Sequence, residues 1–135
     1  METKQVIVIR KDLNMRKGKM VAQGAHASMN AILKQMWHME DWNDGIMVEL
    51  QYEVRFDEPT MQWICGQFTK IVVYVNSELE LLELYDKAKE AKITCSLIKD
   101  NGKTEFNGVP THTCIAIGPG YVDDIDKITG HLPLL

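Results

Sequence analysis

The chain has 135 residues, 45% of them hydrophobic and 25% charged, with a formal net charge of −4, the make-up of one ordinary globular domain spanning 1–135. Such a chain buries about two thirds of its unfolded surface, and no apolar run approaches the ~18 residues needed to span a membrane, so no membrane association is expected. The opening METKQVIVIRKD lacks the long apolar core and cleavage site of a secretory signal, and Cys65, Cys95 and Cys114 are odd in number and widely spaced, which predicts reduced thiols in a cytoplasmic protein.

Gln5–Arg10 (QVIVIR) is β-branched and continuous, the pattern of a buried strand. Asp12–Lys17 reads as a polar loop, and the spacing predicts a helix from about Lys19 to Met36, closed by Trp37–Asp44 (WHMEDWND). From Met47 to Phe56, MVELQYEVRF alternates apolar and polar residues and predicts a strand or hairpin arm. Asp57–Phe68 opens with acidic residues and Pro59, a helix-start signature, and Gly66 is placed to end that helix. Lys70–Asn76 (KIVVYVN) is a second buried strand. Ser77 then caps a helix in which Leu79, Leu81, Leu82, Leu84, Tyr85 and Ala88 form a broad core face. Ile93–Ile98 and Thr113–Ile117 (TCIAI) are the third and fourth strands, with turn signals at Asn101-Gly102 and Asn107-Gly108 between them. Gly118-Pro119-Gly120 leads into a short helix, Asp123–Ile128. Strands separated by long helices imply an α/β fold with a largely parallel sheet covered on both faces. The last two strands have no helix between them, so one of the two is expected to run antiparallel.

Residues 1–38 hold seven Lys and Arg against two acidic residues, while the rest of the chain is strongly acidic. One basic end on an acidic chain fits a local anion site, and equally a solubilising loop. Within RKGKMVAQGAHASM (16–29), Lys19, Gln23 and His26 recur at i, i+4 and i+7 on one helical face. Burying a lysine and an amide without partners would cost several kcal/mol, so this stripe is expected to line a cleft. Lys17 and Lys19 at a helix N-terminus each oppose the dipole by about 0.3–1 kcal/mol, an arrangement that suits a bound anion. Asp100 follows the Ser96–Lys99 end of the third strand, the carboxyl end at which open α/β sheets place their ligands, although an Asp-Asn-Gly turn alone accounts for it. Thr104 and Thr113 flank the same loop. Gly118-Pro119-Gly120 stands before a helix as a phosphate cradle would, but without the Lys-Ser/Thr of a P-loop. Met15, Met20, Met29, Met36 and Met39 read as core filler. Neither CxxC nor HxxxH spacing occurs, so no metal site is predicted, and no Ser/His/Asp or Cys/His triad is legible.

VIRKDLNMRKGKMVAQGAHAS, then SLIKDNGKTEF, then TCIAIGPG with IDKITGHLPLL, together resemble the type II peptidyl-tRNA hydrolase family, the archaeal and eukaryotic kind. The likeness covers residues 4–37 and 70–135 in order. It implies a three-layer α/β/α sandwich with a mixed four-stranded sheet, often a homodimer. The activity it implies is hydrolysis of the ester joining a peptide to the 3′-terminal adenosine of tRNA, with neither metal nor cofactor. Carried over by motif, the active-site set falls on Lys19, Gln23, His26, Asp100, Thr104 and Thr113. Arg10, Lys11, Arg16 and Lys17 at the helix entrance, with Lys103 in the DNGKT loop, are candidate contacts to the tRNA backbone. The chain departs from the family in having Gly24 where relatives often have cysteine, a slightly longer loop after DNGKT, and an expanded acidic segment at about 38–68.

These residue types suit direct attack by water. Asp100 or neutral His26 is available as proton acceptor, Lys19 and Gln23 as donors to the developing oxyanion, and Thr104 and Thr113 as water-orienting hydroxyls. The choice of base stays open at this level. Two other classes compete: a non-catalytic tRNA- or nucleotide-binding module, and a protein-interaction adaptor using the acidic segment with Trp37, Trp42 and Trp63.

Overall fold

A computed structural model describes residues 1–36, 42–43, 46–47 and 56–135. In chain order the elements are β1 (Thr3–Arg10), a 3₁₀ turn (Lys11–Leu13), α1 (Lys17–Met36), β2 (Trp42–Asn43), β3 (Ile46–Met47), α2 (Glu58–Cys65), β4 (Lys70–Val75), α3 (Glu78–Glu90), β5 (Cys95–Asp100), β6 (Thr111–Tyr121) and α4 (Val122–Thr129). β2 and β3 pair as a short antiparallel hairpin. The alternating strand expected over Met47–Phe56 and the Trp37–Asp44 closure fall mostly outside the described residues. No helix of the described residues is long and apolar enough to cross a membrane.

The four main strands form one sheet in the order β4-β1-β6-β5. β1 and β4 are parallel, whereas β6 runs antiparallel to both β1 and β5. The sheet is therefore mixed rather than largely parallel. The expected antiparallel strand exists, but it enters the centre of the sheet, so it converts two of the three neighbouring pairs. α/β architecture is retained, with helices on both faces.

Alternation along β1 divides the core. Val6 and Val8 join Val73, Val75, Leu81, Leu84, Ile115, Ile117, Ile125 and Ile128 beneath α3 and α4. Ile7 and Ile9 join Met15, Ala27, Ala31, Cys114 and Ala116 beneath α1. β1 is buried from Lys4 to Arg10 because both of its faces are covered and both of its edges are paired. Of the methionines read as core filler, Met15 is buried, but Met29 is 60% exposed; Met39 lies outside the described residues. The outer face of α1 carries Val21, Ala22, Ala25 and Met29 in the open.

Two helix starts follow their sequence signals. Asp57 caps α2 by accepting from Thr60 N at 2.9 Å. Ser77 caps α3 by accepting from Glu80 N at 3.1 Å, and the Glu80 carboxylate reaches back to Asn76 N at 2.9 Å. Gln35, near the end of α1, accepts from Asp57 N at 3.2 Å and donates to Thr60 Oγ1 at 2.9 Å. Thr94, just before β5, donates to Asp57 Oδ2 at 3.2 Å. The end of α1, the start of α2 and the approach to β5 are thus tied together by side chains.

Gly118-Pro119-Gly120 is not a loop before a helix. All three residues are buried inside β6. A Cβ on Gly118 would sit 2.7 Å from the Lys4 carbonyl, and one on Gly120 would sit 3.1 Å from Ile125 Cδ1. These glycines make room for β1 and α4, which removes the phosphate-cradle reading.

Gly24 is different. It lies inside α1, and a Cβ there would meet only Ile7, at 3.5 Å and 3.9 Å, ordinary contact distances. Gly24→Ala is expected to stabilise the protein by about 0.5–1 kcal/mol, because alanine loses less backbone entropy in a helix. A denaturant melt that shows no gain would mean that Ile7 cannot accommodate the methyl group.

Candidate active site

α1 starts at the sheet edge where β1, β4 and β5 end and β6 begins, and the polar residues of the sequence motifs meet there. Lys19 lies on the first turn of α1, and its Nζ donates to Asp100 Oδ1 at 2.8 Å and to Thr104 Oγ1 at 3.1 Å. Gln23, one turn on, is buried and donates through Nε2 to the same Asp100 Oδ1 at 3.3 Å. Its Oε1 accepts from the buried Thr113 hydroxyl. The second carboxylate oxygen of Asp100 accepts from Gly102 N at 2.9 Å. Five side chains from α1, β5, the loop between β5 and β6, and β6 are thus linked without a break.

The Lys19 and Asp100 side chains are 16% and 11% exposed. The hydrogen bond from Lys19 is the largest influence holding the Asp100 carboxyl below its usual range; the Gly102 N–H and the Gln23 amide act in the same direction, and burial opposes them. Asp100 is therefore charged at neutral pH and, for the same reason, a weak base. Cys114 lies beneath the cluster and donates to the Gln23 carbonyl at 3.2 Å. Burial pushes its thiol up to about 12, so it is a neutral donor rather than a nucleophile.

The other motif residues are placed differently. His26 is exposed and makes no side-chain hydrogen bond among the described residues, so it does not join the cluster. Thr104 reaches it from the exposed loop. Arg16, Lys17 and Lys103 are exposed around the entrance, and Lys11 is exposed with its Nζ 4.3 Å above the Tyr74 ring. Arg10 is buried, with two hydrogen bonds to Asp12 at 3.2 Å and 2.7 Å and one to the His112 carbonyl at 3.0 Å. Its charge is committed inside the protein, which removes it from the cations facing a nucleic acid.

Two contributors escaped the sequence reading. The Gly102 amide was available from the Asp-Asn-Gly turn, whose glycine takes φ +81 and admits no Cβ, because the Val109 carbonyl would lie 2.3 Å away. Phe106, whose ring centroid is 5.9 Å from Lys19 Nζ, had no comparable signal. Among the described residues, no group of three His, Cys, Asp or Glu side chains is placed to hold a metal ion.

A mixed open sheet with this Lys–Gln–Asp–Thr constellation at its strand ends defines an α/β domain whose polar groups converge at one edge. The sequence model of the Peptidyl-tRNA hydrolase PTH2 family matches residues 3–135. Over 134 residues the chain is 42% identical to the peptidyl-tRNA hydrolase of Methanocaldococcus jannaschii, a match covering 98% of this chain and 99% of the relative. It is 41% identical over 135 residues to the peptidyl-tRNA hydrolase of Sulfurisphaera tokodaii, with both chains fully covered. The peptidyl-tRNA hydrolase of Thermococcus onnurineus is 40% identical over 134 residues, covering 98% of this chain and 97% of its own. The chain belongs to the Peptidyl-tRNA hydrolase PTH2 family.

The lowered Asp100 pKa has a stability consequence of definite sign. A carboxyl whose pKa falls on folding contributes stability above its unfolded pKa, near 3.8, and that stability is lost as pH falls through the lower folded value. The stability difference between the wild type and Asp100→Asn is therefore expected to be constant from about pH 5 to 8 and to shrink only below about pH 4. Urea melts across this range check it; a difference that fades near neutrality would contradict the pairing.

Proposed function

We propose that this chain is a peptidyl-tRNA hydrolase that cleaves the ester between a peptide and the 3′-terminal adenosine of tRNA by direct attack of water, using neither metal nor cofactor. Membership of the family supports the substrate class. The observation that carries the chemistry is the unused hydrogen-bonding capacity of the cluster. Lys19 Nζ has three donors, two of them engaged by Asp100 and Thr104; Gln23 Nε2 has two, one engaged by Asp100. The Thr104 hydroxyl, which accepts from Lys19, retains its own proton to donate. Asp100 accepts three hydrogen bonds and has room for about one more.

The remaining Asp100 lone pair orients the attacking water, while the spare Lys19 and Gln23 donors meet the carbonyl oxygen as it becomes an oxyanion. Asp100 acts mainly by holding Lys19 and water in place, since a carboxylate stabilised in its charged form is a poor proton acceptor. Thr113 holds the Gln23 amide the right way round by donating to its carbonyl oxygen. His26, exposed on the next turn of α1, borders the site.

The protein acts as one cytoplasmic domain and pairs as a homodimer. The exposed apolar face of α1, with a groove of about 470 Å³ that includes Val21, Val72 and Leu135 in its lining, supports pairing with a second copy; a monomeric sedimentation mass would remove that assignment.

Release of labelled N-acetyl-aminoacyl groups from tRNA is expected with chelator present, and inactivity across several tRNAs would overturn the reading. Lys19→Ala and Asp100→Asn should each lower saturated turnover by roughly 10²-fold or more while changing tRNA affinity less, because their contacts strengthen in the transition state. His26→Ala should lose little.

Arg16, Lys17 and Lys103 are the cations we assign to the tRNA backbone. Replacing each with alanine should weaken tRNA binding and flatten the slope of log affinity against log salt by about 0.7–0.9 per contact. Filter binding at several salt concentrations measures this, and unchanged slopes would leave these residues as solubilising groups.

A further inference from the structure

β6 breaks its register where it enters the site. Ile98 pairs with Cys114 and the next residue, Lys99, pairs with His112. Thr113 is the extra residue, so the strand carries a bulge there. Consecutive strand residues normally point to opposite faces, yet Thr113 and Cys114 both reach Gln23 on α1, one at its side-chain oxygen and the other at its carbonyl. The bulge is what turns Thr113 toward the cluster.

On the opposite face of the sheet, the carbonyl of His112, the residue before the bulge, accepts from Arg10 Nη1 at 3.0 Å. The other edge of the guanidinium is fixed by both carboxylate oxygens of Asp12. Glu78 stands 3.8 Å from Arg10 Nη1 and also meets His112 Nδ1 at 3.1 Å. The Arg10 side chain is only 10% exposed, and a planar fork of donors held on one edge sets the direction of the other.

We propose that Arg10, held by Asp12, is a positioning residue for the hydrolysis: from the back of the sheet it fixes the bulge that turns Thr113 onto Gln23, and so sets the Gln23 amide against Asp100. The inference rests on the hydrolase reading above, and its test separates the two. Hydrolysis of N-acetyl-aminoacyl-tRNA by the wild type is measured first, since its absence overturns that reading alone.

Arg10→Lys keeps the charge and loses the fork. With folding verified by circular dichroism, it should lower kcat about tenfold or more, the cost of a small misplacement at a reacting centre, with KM and the salt slope little changed. Thr113→Val should also lower kcat, and the double variant should be no slower than the slower single variant, because both changes disable one relay. Multiplicative losses, an unchanged kcat, or a loss confined to KM with a flatter salt slope would overturn the proposal, the last by making Arg10 a phosphate contact. Should Arg10→Lys fail to fold, Asp12→Asn carries the same test. Should the wild type prove inactive, the side-chain amide resonances of Gln23 decide: a shift in the folded variant is expected, and unchanged resonances would overturn the positioning role.

Discussion

The Lys19–Asp100 ion pair ties together two segments separated by 81 positions in the chain. Removing each charge from water costs several kcal/mol, and their attraction offsets that only when the remaining donors and acceptors are satisfied. Here Gln23, Gly102 and Thr104 complete the set. The architecture follows from this requirement. α1 must begin opposite the end of β5, and β6 must run between β1 and β5 so that Thr113 can present its hydroxyl to Gln23.

The same pair accounts for a lysine on the first turn of α1, where the helix dipole disfavours positive charge. The compensating carboxylate is not on the helix, whose first turn contains no acidic residue; it comes from a distant strand. Arg16 and Lys17 receive no such help from Asp100 and stand exposed. One cation is thereby fixed with its charge balanced inside the cluster, while its neighbours project their field into solvent, where a polyanion is attracted over a distance of about a Debye length.

What could be read from the sequence divides along physical lines. Lys19 and Gln23 were legible because four residues is close to one helical turn, and Asp100 because it follows the carboxyl end of a strand, where open α/β sheets place their ligands. His26 satisfied the same angular rule and still stands outside the cluster: seven residues advance about 10 Å along a helix axis, beyond the strand ends that define the site. The fourth strand runs past Ile117 through Gly118-Pro119-Gly120, which the sequence could not show because the signal for glycine is the same whether the backbone is approached by an anion or by another strand. Arg10 looked like one more surface cation because charged residues follow it; strand alternation puts it on the face opposite Ile9, and only its burial and its hydrogen bonds to Asp12 and the His112 carbonyl show that it is held inside the protein. The bulge at Thr113 left no trace, since THTCIAI keeps a plausible strand pattern with or without an extra residue.

The Gln35–Asp57–Thr60–Thr94 tie has a consequence for how this fold can change over time. It closes the chain between the end of α1 and the start of α2 with side chains that belong to neither the sheet edge nor the intervening segment. Once the two stems are fixed, the entropy of closing a connection between them rises only with the logarithm of its length, about 0.6 kcal/mol for each doubling. Lineages are then free to lengthen, shorten or replace that segment with little thermodynamic penalty, while the helix carrying Lys19 and Gln23 stays where it is. The fold contains, at the far end of α1, a graft point insulated from its chemistry.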